Sequence, residues 1–359
     1  MLLIKKKSNL IFIMLLIGLL LNLCQIVFGD SLSASDFKTI IPVLTYHNFT
    51  LNESTSYKIN IDKFDEQMEY LYHHNYSVIS MSELKEGLSR GILPPKPVVI
   101  TIDDGYKSTY DLAYPVLKKY HFPATLFVYT DFIEKNDYSL TWDEIREMAK
   151  NNFEIGSHTV SHCNLIKIKE NETSEDYLNR IKREIFLSRE ILEKEIGREI
   201  DIFAYPYGTY NPQVKGLVVQ AGYKIIVNAN SMNNDTDANL LSLNRQIIYG
   251  QNSLDSFIHI LHQRPLPVAK TYPEDGTVSM DQLTKIGAVL KEDSNTVTNF
   301  IMKLGGAKVN FDYNSENREI SFTPKPQKPL IKKSYIVSIT ARDKDNSISG
   351  KTSWLITIK

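Results

Sequence analysis

Two adjacent carboxylates, Asp103 and Asp104, end the apolar run PVVITI and are followed by Gly105. A turn at the end of a strand accounts for them, because Asp-Gly is a common turn dipeptide. Neighbouring side chains at a strand end also point in different directions, so one carboxylate can hold a cation while the other stays free as a base. A second group of polar residues lies in EIGSHTVSHCN, where His158 and His162 are four positions apart. Two loop histidines need no special role, but this spacing lets both imidazoles reach one point, as metal ligands do. Two histidines and one aspartate leave coordination positions open, which catalytic metals require. Cys163 beside them reads as a small core residue rather than a ligand. The segment FAYPYGTYN (residues 203–211) is either a plain Pro-Gly loop or a rigid backbone that presents an amide to substrate. His47, in PVLTYHNF, is a lone histidine at the end of another apolar run.

Such residues need elements to hold them. From about residue 38 to 262, short β-rich runs alternate with helical patterns. The strand candidates are IPVLTYH, YSVIS, PVVITID, PATLFVYT, FEIGSH, IDIFAYP and YKIIVNA. In IDKFDEQMEYLYHH, Phe64, Met68, Leu71 and Tyr72 fall on one helical face. Ser80 with Glu83, and Thr141 with Glu144, have capping-box spacing. From Asp176 to Ile196, Leu178, Ile181, Ile185, Leu192 and Ile196 form a stripe, and the charges read as a solvated face. This alternation predicts an α/β domain whose parallel sheet or barrel is covered on both faces. Catalytic residues gather at the carboxyl ends of such strands, which is where the two aspartates fall. Around residue 265 the texture changes. QRPLPVAKTYPEDG reads as a linker or domain edge. The runs AKVNFDY, EISFTP, SYIVSITARD and SWLITIK, separated by NSEN, PKPQKP and DKDNSISG, predict a small antiparallel sandwich.

With 359 residues and a formal net charge of −1, the chain can form two domains or three, and its charge gives no reason to expect nucleic acid as a partner. Lys5, Lys6 and Lys7 precede an uncharged apolar run over residues 10–28, so residues 1–30 read as a leader that exports the rest. Val27 and Gly29 suit cleavage after Gly29, while the length of the run equally suits an uncleaved membrane anchor. Leu23 is too bulky for Cys24 to read as a lipidation site. The only other cysteine is Cys163, so the exported part has no internal disulfide and depends on core burial.

Taken together, these segments resemble the NodB-homology polysaccharide deacetylases, carbohydrate esterase family 4. Thr101 to Gly105 looks like that family's T-F-D-D-G motif with Ile102 in place of Phe, and His158 to His162 matches its H-[ST]-x-x-H motif. Phe203 to Gly208 resembles its third motif, with Ala204 in the arginine slot. No D-x-x-D-W motif is present, and His262, on a predicted helical stretch, is a poor match for the late L-x-H motif. The early LTYH instead resembles the subgroup that de-N-acetylates poly-β-1,6-N-acetylglucosamine, a biofilm exopolysaccharide, and FAYPYG and LNRQIIYGQNSLDSF resemble it too. Residues 268–359 resemble bacterial immunoglobulin-like modules.

The resemblance implies a distorted (β/α) barrel deacetylase domain over 38–265, followed by an all-β Ig-like sandwich. It implies that Asp104, His158 and His162 hold a divalent metal, zinc first, with nickel, cobalt or iron as alternatives. Asp103 is then the general base, oriented by Arg245, which replaces the charge absent at Ala204. The Tyr207 N–H, set by Pro206, is then an oxyanion donor, and His47 the general acid. The implied partners are a polysaccharide rich in N-acetylglucosamine and the bacterial surface or membrane. The alternatives are peptidoglycan, chitin-type or O-acetyl substrates, and a catalytically silent surface carbohydrate-binding or adhesion protein.

Overall fold

The structure, a computed structural model, describes residues 38–274, 276–278, 283–291, 299–324, 334–342 and 348–358. The expected leader over residues 1–30, with Cys24, lies outside the described residues, as do most of PKPQKP and the start of DKDNSISG. Among the described residues no helix is long and apolar enough to cross a membrane.

Apolar runs become strands where the alternation predicts them. In chain order these are β1 (Val43–Tyr46), β2 (Asn48–Thr50), β3 (Lys58–Asn60), β4 (Ser77–Val78), β5 (Pro97–Asp104), β6 (Ala124–Val128), β7 (Phe153–Ser157), β8 (Ile202–Ala204), β9 (Ile225–Val227) and β10 (Gln246–Ile247). Eight of them form one sheet in the order β10-β1-β5-β6-β7-β8-β9, with β4 also paired to β5, and every pairing is parallel. The sheet curves into a half-barrel. Its edges approach through one segment: Leu243 bridges Val227 of β9, and Gln246 and Ile247 pair with β1.

Successive strand residues point to opposite faces, so a sheet covered on both sides needs two apolar sets. Both are present. Leu44, Val98, Ile100, Leu126 and Ile226 join one buried cluster with the helices, while Val43, Val99, Phe127, Ile225 and Val227 join a second. Helix starts follow their capping signals. Ser80 and Thr141 each accept from the backbone N–H of the glutamate three positions on, and that glutamate's side chain accepts the cap residue's own N–H. Helix Ile61–His73 buries Phe64, Met68 and Leu71 as expected, but Tyr72 is 54% exposed. In helix Ser174–Ile196 the reading of all charges as a solvated face fails at Glu184, which is 8% exposed on the buried side.

Beyond the half-barrel the chain is all β: β11 (Val268–Tyr272), β12 (Gly276–Val278), β13 (Ile286–Leu290), β14 (Asn299–Leu304), β15 (Ala307–Val309), β16 (Asp312–Asn314), β17 (Glu319–Phe322), β18 (Ser334–Arg342) and β19 (Ile348–Ile358). They form sheets β11-β13-β17-β16 and β12-β19-β18-β14-β15, antiparallel apart from the β12–β19 pair. One apolar cluster, with Ile286, Met302, Ile320, Val337 and Trp354, draws on both. Within the segment expected to be a linker or domain edge, Val268–Tyr272 forms a strand paired with β13, because its prolines flank the run rather than interrupt it. Alternation along β19 also joins the two parts. Trp354 packs in the β cluster, while its neighbour Leu355 packs in the main cluster of the half-barrel.

Candidate active site

The half-barrel strands deliver their polar residues to one place. His47 follows β1, Asp103 and Asp104 end β5, His158 follows β7, Tyr207 lies just past β8, and Arg245 precedes β10. With His162, all of these line a single cavity of about 600 Å³, with Thr45, Tyr57, Tyr106, Tyr205 and Ala229 among its other walls. Pro206 is buried and is not among the lining residues.

Both aspartates lie within the sheet register, Asp103 opposite Phe127 and Asp104 opposite Val128, but Asp104 adopts a left-handed backbone with φ of 81°. Non-glycine residues avoid this region, and such conformations cluster at functional sites. Thr159, His162 and Tyr207 share it, with φ of 71°, 57° and 58°, and all lie at or beside the cavity. Gly105 continues the bend at φ 91°, and a Cβ there would lie 2.9 Å from Ile133 Cδ1, so glycine suits both the torsion and the space.

The Asp104 Oδ1 atom lies 3.4 Å from His162 Nε2 and 3.8 Å from His158 Nε2. The ligand atoms of Asp104, His158 and His162 all lie within 4.8 Å of one another. Tetrahedral zinc, bonded at about 2.1 Å, separates its ligand atoms by about 3.4 Å. Asp104 Oδ1 is buried and has no hydrogen-bond partner, which fits a group completed by a cation. His158 Nδ1 lies 2.8 Å from the Ala204 carbonyl oxygen. As the donor of that bond, Nδ1 leaves the Nε2 lone pair facing the cavity, the usual support of a metal-ligating imidazole. The donor set therefore fits a divalent metal.

Arg245 is buried beside Asp103, its Nη1 donating to Oδ1 at 2.7 Å and its Nη2 to Oδ2 at 2.8 Å. Its Nε donates to the Asn228 carbonyl and its Nη1 reaches Thr101 Oγ1, so the fork is fixed from behind. Burial alone would push the Asp103 carboxyl up, but the Arg245 guanidinium and His158 hold it down at about 2. Asp104 lacks that partner. Burial and then the Asp103 charge push it up to about 7, and a nearby cation would reverse this. Burial lowers His158 to about 3 and also lowers His47 and His162, which favours the neutral imidazole that metals bind.

Residues 90–226, which include both aspartates and both histidines, match the polysaccharide deacetylase family. The chain carries a polysaccharide deacetylase domain. It is thus a deacetylase of the hydrolase class, as its motifs imply. Over 177 residues the deacetylase is 29% identical to a Staphylococcus aureus poly-β-1,6-N-acetyl-D-glucosamine N-deacetylase, a match spanning 48% of this chain and 61% of that one. Among solved structures it is similar to the Streptococcus pyogenes deacetylase PplD, determined in complex with acetate, at 28% identity and a TM-score of 0.56. That match covers 63% of this chain and all (100%) of PplD. It is also similar to IcaB from Ammonifex degensii, at 25% identity and a TM-score of 0.54, covering 62% of this chain and 96% of IcaB.

Of the other sequence candidates, Cys163 is a half-buried free thiol with its Sγ 3.6 Å from Arg180, and it does not line the cavity. His262 caps its own helix, with Nδ1 at the Ile258 carbonyl and Nε2 at the Tyr76 hydroxyl, and it too is absent from the lining. Sequence reasoning missed the aromatic rim. Tyr57 packs edge-on to His47, with ring centroids 5.2 Å apart, and also meets Tyr249. Nothing in the spacing of these tyrosines signals that they meet. The main-chain role of Ala204 was hidden too, because a carbonyl leaves no mark on residue type.

Proposed function

We propose that the deacetylase hydrolyses the N-acetyl groups of N-acetylglucosamine residues in an extracellular polysaccharide, with poly-β-1,6-N-acetylglucosamine as the preferred polymer. Supporting the reading most directly is the pairing of two sites in one cavity: a three-donor metal set with an orphaned Asp104 oxygen, and a separate carboxylate, Asp103, held by Arg245. The name of the S. aureus relative supports the choice of polymer.

In this reading Asp104, His158 and His162 hold the metal, zinc first. Bound there, the ion would supply Lewis-acid polarisation of the acetamide carbonyl and a more acidic water. Asp103, ionised and oriented by Arg245, takes the proton of the attacking water. The backbone N–H of Tyr207 donates to the carbonyl oxygen as it gains negative charge, and Pro206 fixes that stretch of chain. His47 gives a proton to the leaving nitrogen as the C–N bond breaks. Burial makes its imidazolium a ready donor, and the Asp103 charge favours the protonated form during turnover. The products are acetate and a free amine, which is cationic near neutral pH, so the reaction changes the charge of the polymer.

The chain is divided in this proposal into an exporting leader or anchor over residues 1–30, a deacetylase domain over 38–265 and an Ig-like module over 268–359. The enzyme is then secreted or held at the bacterial surface. Acetate release by zinc-loaded protein from β-1,6- and β-1,4-linked N-acetylglucosamine oligomers tests the substrate. Faster release from the β-1,6 series is expected. Preference for the β-1,4 series would move the assignment to peptidoglycan or chitin-type substrates. Binding without release from either would leave a silent carbohydrate-binding protein.

A further inference from the structure

The two histidines of the proposed metal set share one short loop. Within it Thr159 has a left-handed backbone and donates its N–H to Ser157 Oγ, while His162 N–H donates to Thr159 Oγ1 at 3.0 Å. The next two N–H groups, of Val160 and Ser161, point out of the loop and converge on one atom. Both donate to Glu184 Oε2, at 3.0 and 2.9 Å, and the Ser161 hydroxyl donates to Glu184 Oε1 at 2.7 Å. Consecutive N–H groups in such a turn form an anion-binding nest, and here the anion comes from the chain itself.

Glu184 lies on helix Ser174–Ile196, and Ser188 follows one turn later on the same face. The Ser188 and Ser157 hydroxyls are 2.7 Å apart. One helix face thus grips the chain on both sides of His158, at Ser157 before it and at Val160 and Ser161 after it.

We infer that Glu184 is a positioning residue for the metal site: its carboxylate sets the turn that aims His158 and His162 at a common point. This rests on the reading that those histidines hold the metal. Removing the acceptor orphans two N–H groups on the segment joining the ligands, and the loop's left-handed torsions lose the contact that holds them from the helix side. Partners that orient metal ligands typically contribute 10–100-fold to metal affinity.

The test is zinc affinity of the full chain, measured by competition with a chromogenic chelator. Glu184→Met, which keeps the bulk and loses the acceptor, is expected to weaken zinc binding by about 10–100-fold. Glu184→Gln, which keeps an acceptor oxygen for the two N–H groups, is expected to restore most of it. Turnover of Glu184→Met should recover at saturating zinc, with KM for the oligosaccharide unchanged. Wild-type zinc affinity in folded Glu184→Met overturns the inference. Should that variant fail to fold, Glu184→Asp, whose acceptor is withdrawn by one methylene, must show weakened binding, and wild-type affinity there overturns the inference equally. A different result would undo the underlying reading instead: zinc bound as tightly by a His158→Ala/His162→Ala protein as by the wild type.

Discussion

Arg245 and Asp103 meet as two parallel hydrogen bonds, Nη1 to Oδ1 at 2.7 Å and Nη2 to Oδ2 at 2.8 Å. The residues are far apart in sequence, and the guanidinium fork fixes the plane of the carboxylate. Asp103 Oδ2 is also 3.9 Å from His158 Nε2, so a base oriented in this way faces the proposed metal set.

Arg245→Met is expected to destabilise the fold by about 3–5 kcal/mol, because it leaves a buried carboxylate unpaired. Arg245→Lys keeps the charge without the fork and should also lose activity. The acid side of the stability profile reports the pair. Asp103 is depressed from its ordinary range to about 2, so its contribution is present above about pH 4 and lost as pH falls toward 2. Urea unfolding across that window should show the wild type losing this stability, and Arg245→Met having none of it to lose.

Asp104→Ala, His158→Ala and His162→Ala are each expected to lower bound metal, and Asp103→Asn to keep it while turnover is lost. Metal per mole, measured by elemental analysis beside an acetate-release assay, separates the two outcomes. Full occupancy in a protein lacking both histidines would remove them as ligands. Removing the metal with a chelator should abolish acetate release, and adding zinc back should restore it.

His47→Ala should slow turnover by about 10²–10⁴-fold with metal retained, the usual range for a lost proton-transfer group. Steady-state kinetics at saturating zinc check this, and wild-type rates would take His47 out of the reaction.

Tyr207 contributes through its backbone in the proposed mechanism, and its side chain is 65% exposed. Tyr207→Ala keeps the N–H and is expected to hold kcat within about tenfold of the wild type. An oxyanion donor removed outright typically costs 10²–10³-fold. A loss that large in Tyr207→Ala would show that the aromatic ring, packed 4.7 Å from His162, carries the effect.

The alternation of apolar strands and amphipathic helices, which depends only on local periodicity, made the parallel half-barrel legible. So did the capping boxes at Ser80 and Thr141, whose partners lie three residues away. The Asp pair and His pair were legible because each is contiguous or nearly so. The strand hidden in the expected linker was harder to see, because flanking prolines signal a break without saying what lies between them. Glu184 looked like one more surface charge, since sequence does not say which side of a charged helix faces a loop that needs an acceptor.

The sequence by itself determined which residue types stand at the ends of the strands, because a run of apolar residues and the polar group that stops it are adjacent in the chain. Tertiary structure alone decided how the two carboxylates differ. Asp103 and Asp104 are chemically identical neighbours, and only folding brings Arg245 against one and leaves an oxygen of the other buried without a hydrogen-bond partner. Charge and burial act through space, so a difference between adjacent aspartates comes from what the curvature of the sheet sets beside each of them.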